Sequence, residues 1–139
     1  MQHNLANNAL TNITKQVVMS KFGMDEKQWA KYAAVITTGL FKLRTAYPSQ
    51  TRNYSVLEND ALTALWLETF ASTDIQFLPE AIDQFIKQDK KGFFPSPGQI
   101  LDFAEKAKNA HFWAEAEQKE RLFLMSKESK DERLSSNQE

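Results

Sequence analysis

The sequence contains no cysteine, and only 4 glycines and 4 prolines among its 139 residues. Without thiols there is no disulfide staple, no thiolate nucleophile and no cysteine zinc site, and the composition fits a reducing compartment. Glycine plus proline is about half the usual share of ~12%. So few turn residues argue against sandwiches, barrels and propellers, which need a turn every ~8–12 residues. No two glycines lie within 5 residues of each other, which removes the dinucleotide and phosphate-loop glycine motifs. No charge of one sign dominates: 17 Lys and Arg stand against 18 Asp and Glu, so nothing demands nucleic acid or an anionic membrane as the main partner. Long apolar runs are missing as well. The longest predominantly apolar run free of charge, Tyr32 to Phe41, has 10 residues, against the ~20 of a membrane span. Met1 to Asn8 has neither a basic nor an apolar region of a secretory signal, and a cytoplasmic location is expected.

What is present is helical periodicity. Leu10, Ile13, Val17 and Val18 suit one face of a first helix, frayed over its first eight or so residues by Asn4, Asn7 and Asn8. Asp25 and Gln28 form a capping box before a second helix, with Met24 and Trp29 as a hydrophobic staple. Trp29, Ala33, Ile36, Leu40, Leu43 and Tyr47 then make one apolar stripe, which Pro48 stops. Gly39 sits inside that helix, where a close crossing would account for it. Ser49 to Tyr54 reads as a polar loop.

Ser55 and Glu58 form a second capping box. Leu57, Ala61, Ala64 and Leu65 follow on one side, and Leu62, Trp66 and Phe70 on another, which predicts a deeply buried central helix. A fourth helix carries Leu78, Ala81, Ile82, Phe85 and Ile86, with Pro79 at its first helical position and Gly92 just beyond its end. In Phe93-Phe94-Pro95-Ser96-Pro97-Gly98-Gln99, Ser96 caps and Gln99 completes a third capping box. No glycine or proline follows Gly98, so the remaining 41 residues can form one long helix that loses its neighbours.

The expected fold is all-α: a compact bundle of four or five helices with a long C-terminal helix able to project. A helical domain is expected over 1–110, an amphipathic partner-binding segment over 111–134 and a disordered tail over 135–139. No internal repeat is visible along the whole chain.

Catalytic chemistry is hard to find. His3 and His111 are the only histidines, and the one helical pairing, His111 with Glu115, reads as a solvated pair more than as a metal site. No metal site, no cofactor and no enzymatic activity are expected. Lys87, Lys90 and Lys91 beside Phe93 could grip single-stranded nucleic acid through phosphate contact and stacking. The competing reading is that Phe93 or Phe94 fills the core and the lysines are helix-end charges. Further on, Phe112, Trp113, Leu122, Phe123, Leu124 and Met125 place large apolar groups in a charged stretch. Such groups dock on the chain's own bundle or anchor a partner.

The segment from Val35 to Ala107 resembles the replication protein P family of lambdoid phages. The likeness rests on Val35-Ile-Thr-Thr-Gly-Leu-Phe, on Ala46-Tyr47-Pro48, on Trp66 and on Phe94-Pro95-Ser96-Pro97-Gly98-Gln99. It covers about half of the chain. A looser likeness exists to helicase loader-inhibitors of phages of Gram-positive hosts. The resemblance implies a helicase loader: a protein that binds the host's hexameric replicative helicase, holds it inactive and delivers it to an origin marked by a phage initiator. It also implies no nucleotide cofactor, and it makes the matched residues scaffold. Better-known members are longer and grip the helicase with a C-terminal region, whereas about 30 residues follow the matched part here. The alternatives are a single-stranded DNA-binding accessory protein and a helical oligomerising regulator.

Overall fold

The computed structural model describes the backbone of residues 8–138 and the side chains of residues 8–132. The expected fraying of the first residues concerns, apart from Asn8, residues outside that range. The described chain is all-α, without a strand. Its helices are α1 (Ala9–Phe22), α2 (Glu26–Ala46), a short α3 (Pro48–Thr51), α4 (Val56–Thr69), α5 (Leu78–Gln88) and α6 (Pro97–Gln138). A 3-10 turn, Ile75–Phe77, leads into α5. Two compact units divide at Glu105 and Lys106, a few residues before the boundary the sequence suggested.

The three capping boxes form as the sequence predicts. The Gln28 N–H donates to Asp25 Oδ1 at 2.7 Å, the Glu58 N–H to Ser55 Oγ at 3.1 Å and the Gln99 N–H to Ser96 Oγ at 3.3 Å. In each the side chain at the third helical position accepts from the cap's own N–H, so two orphan donors are satisfied at once. Gly23 ends α1 at φ 63°, the left-handed geometry that closes a helix without a Cβ penalty.

The core of the first unit is built from the predicted stripe of α2, with Trp29, Tyr32, Ile36, Leu40, Leu43 and Tyr47 buried. Trp66, Leu67 and Phe70 of α4 meet it, as do Leu78, Ala81, Ile82 and Phe85 of α5 and Ile100 at the start of α6. The Tyr32 hydroxyl donates to the Leu67 carbonyl at 2.5 Å, tying α2 to α4 inside the core. Burial holds the Tyr32 pKa well above that of a free phenol. Gly39 has the reason its position suggested: a Cβ there would come within 2.5 Å of Ile82 Cδ1, so α2 and α5 cross at contact distance.

Four expectations are corrected. On α1 only Val18 is buried, while Ile13 and Val17 are 61% and 56% exposed. Asp60 of α4 binds the backbone of Leu10 and Thr11, and this sets the rotation of α1 so that Thr11, not Ile13, faces inward. On α4 the side carrying Leu57, Ala61 and Leu65 lies in solvent, so the helix is buried on part of its circumference and is not enclosed. Pro48 does not begin a loop, because Pro48–Thr51 is a helical turn. The segment expected as a disordered tail has helical backbone up to Gln138.

Candidate interaction surfaces

The segment Asp89 to Ser96 joins α5 to α6 and is held from two sides. The Asp89 carboxylate accepts from the Tyr47 hydroxyl at 2.7 Å and from the N–H groups of Lys91 and Gly92 at 3.0 Å each. The Tyr47 hydrogen bond, the two N–H groups and the Lys91 charge outweigh desolvation and hold the Asp89 carboxyl below its ordinary pKa. Burial, reinforced by Asp89, pushes the Tyr47 phenol up to about 12. Gln50 completes the clamp: its amide nitrogen donates to the Gly92 carbonyl at 2.6 Å and its oxygen accepts from the Phe94 N–H at 2.7 Å.

This clamp sorts the two phenylalanines. Phe94 turns inward, its ring 6.5 Å from Tyr47 and 6.3 Å from Trp66, both nearly edge-on. Phe93 turns outward and is 66% exposed. Lys87, Lys90 and Lys91, close to it in the chain, are exposed as well. The core-filling reading therefore holds for Phe94, and the surface reading remains open for Phe93 with the three lysines.

The other sequence-predicted surface lies in the second unit, from Lys106 onward. Phe112, Trp113, Leu122, Phe123 and Met125 are between 59% and 67% exposed, and Leu124 is 48% exposed. The four consecutive residues from Leu122 to Met125 point to all sides of the helix, since each step turns it by about 100°. The Phe112 and Trp113 rings meet edge-on at 5.6 Å. All six side chains thus stand in water, in a segment whose other residues are mostly charged.

Two concavities in the first unit escaped sequence reasoning. A groove of about 330 Å³ runs beside the α2–α5 crossing, lined by Ala34, Val35, Thr38, Pro79 and Ile82, and ends at the Lys42–Asp83 ion pair. A polar pocket of about 390 Å³ is lined by Thr11, Thr37, Arg44, Asn59, Asp60 and Thr63. In it Arg44 Nε and Asn59 Oδ1 are buried without a hydrogen-bond partner among the described residues. Both are assembled from different helices, and no local spacing announces them.

Among the described residues no group of three or more His, Asp or Glu is placed to hold a metal ion. None of the described helices is long and apolar enough to cross a membrane. No protein-family model, no curated protein and no solved structure matches the chain.

Proposed function

We propose that the chain is a non-enzymatic DNA-replication adaptor that binds a hexameric replicative helicase and loads or inhibits it. The carrying observation is the exposure of Phe112, Trp113, Leu122, Phe123, Leu124 and Met125 on one helical segment. Large apolar groups held in water are stabilised by a partner that removes them from it. The likeness of Val35 to Ala107 to the replication protein P family supplies the identity of that partner. A helicase-bound adaptor of this kind works by differential binding, favouring one helicase conformation over others, and needs no catalytic group. A phage origin-binding initiator is the second partner on this reading. Within the first unit the capping boxes, the Gln50 clamp and the Gly39 crossing brace the helices. Capture of a purified replicative hexamer tests the proposal, with Trp113→Ala and Met125→Ala expected to weaken it. Undiminished capture by a chain ending at Ala110 would show that the contact lies elsewhere.

A second reading has its own observation: Phe93 is 66% exposed, and its chain neighbours Lys87, Lys90 and Lys91 are exposed too. That edge suits a weak contact with single-stranded DNA, by stacking and phosphate pairing. Binding that falls steeply with added salt and disappears in Phe93→Ala would support it.

A further inference from the structure

Along the second unit five positions recur at an 11-residue spacing that is invisible in the chain as a whole. Lys108, Lys119 and Lys130 are 11 apart, as are Phe112 and Phe123, Trp113 and Leu124, Glu117 and Glu128, and Glu120 and Asp131. Eleven residues make close to three helical turns, so each series stays on one line along the helix. Phe112 and Phe123 therefore form a seam, 63% and 67% exposed. Ala116 and Lys127, four residues after each phenylalanine, extend it.

At two repeat positions beside the seam the charges differ in sign. Lys119 lies four residues before Phe123 and Glu120 three residues before it, positions that fall on opposite sides of the ring. Lys108 and Lys130 join the lysine side, and Asp131 joins the acidic side. All of these charged residues are exposed. At these repeat positions Asn109 is the one neutral member, and off them Glu115, three residues after Phe112, is an acid on the lysine side.

We infer that the partner along this seam is a second copy of the chain, arranged as a parallel two-stranded coil. In a parallel pair related by a two-fold axis, the lysine flank of each helix faces the acidic flank of the other on both sides of the seam. In an antiparallel pair lysine would meet lysine and acid would meet acid. The sign pattern at these repeat positions thus favours a second copy of the chain, in the parallel direction. Lys127 in the seam resembles the single polar residue that fixes register in coiled coils. The 11-residue period gives a nearly straight or slightly right-handed coil, not the left-handed one of heptads. The inference does not rest on helicase binding: Leu122 and Met125 lie off the seam and remain free for another partner.

Sedimentation equilibrium of the full chain tests it. A monomer–dimer equilibrium is expected, and Phe112→Ala with Phe123→Ala should raise its Kd by roughly tenfold or more. Lys119→Glu alone and Glu120→Lys alone should each raise Kd several-fold, roughly 3- to 10-fold, since each change meets its like twice. Both charge variants sit on an exposed helix face, and circular dichroism should find them as helical as the parent. Mixed together they should form a heterodimer tighter than either alone, an outcome that a folding defect does not produce. Because the chain has no cysteine, a spin label on Ser129→Cys is unique. A parallel pair brings two labels to about 20–25 Å, roughly two helix diameters, whereas an antiparallel pair centred on the seam separates them by ~35 Å along the axis. A chain that stays monomeric up to roughly 1 mM would overturn the inference. So would a dimer indifferent to the phenylalanine and charge variants, or labels at the antiparallel distance.

Discussion

Asp60 caps a helix that lies 49 residues away: its Oδ1 accepts from the Thr11 N–H at 3.0 Å and from the Thr11 hydroxyl at 2.6 Å. Its Oδ2 takes the Leu10 N–H at 2.9 Å, while Asn8, the residue at the cap position itself, makes no side-chain capping bond. A carboxylate at a helix N-terminus satisfies orphan donors and meets the positive end of the dipole. Asp60→Asn keeps the shape and removes the charge. It should cost about 1–3 kcal/mol, as expected for a charge-assisted buried hydrogen bond, measured by urea denaturation. Thr11→Val, which removes only the hydroxyl, should cost less, about 1 kcal/mol.

The same contact sets a pH response. Burial alone would raise the Asp60 pKa, but the bonds from the Thr11 hydroxyl and from the Leu10 and Thr11 N–H groups prevail and hold it below the usual carboxylate value. A depressed folded pKa gives stability that is present above the unfolded value of ~3.9 and is lost as pH falls through the folded one. The parent should therefore lose its advantage over Asp60→Asn as pH drops below about 4. Parallel stability curves for the two proteins from pH 6 to 2.5 would refute this Asp60 contribution.

Gly39 and Ile82 make a second test by size. Alanine gains roughly 1 kcal/mol over glycine in a helix interior, whereas overfilling a packed core costs about 1–3 kcal/mol. With Ile82 1% exposed and its Cδ1 within 2.5 Å of the new Cβ, the crowding should win. Gly39→Ala is expected to lower the melting temperature. Ile82→Val removes the obstructing methyl, so the double variant should be more stable than the sum of the two single changes predicts. Strict additivity in that cycle would show that the crossing does not govern the site.

How far the sequence could be read depended on how local each cause is. The capping boxes at Asp25, Ser55 and Ser96 are decided within four residues and were fully legible. The α2 stripe was legible because one face of one helix recurs at a fixed spacing. The rotation of α1 was not legible, because Asp60 decides it from another helix and overrides the apolar pattern of Leu10, Ile13 and Val17. Solvent on the Leu57–Leu65 side of α4 was hidden for a related reason: periodicity tells which residues share a face, not whether a neighbour covers it. The Gln50 clamp, which assigned Phe94 to the core and Phe93 to the surface, joins positions 42 to 44 residues apart. The 11-residue series in the last helix was present in the sequence throughout. It emerges only when that helix is read alone, since its members are charged and apolar in turn.

Phe93 and Phe94 give the sharpest contrast between adjacent residues. Phe94→Ala removes a ring packed on Tyr47 and Trp66 and should cost about 2–4 kcal/mol, the range for a large-to-small change in a core. Phe93→Ala touches an exposed ring and should fall within about 0.5 kcal/mol of the parent. Gln50→Ala should lie between them, since it frees the Gly92 carbonyl and the Phe94 N–H and leaves the rings in place. Thermal denaturation of the three variants should rank them in that order. If Phe93→Ala proved as costly as Phe94→Ala, the sorting of the two rings would be wrong, and with it the exposed aromatic on which the nucleic-acid reading depends.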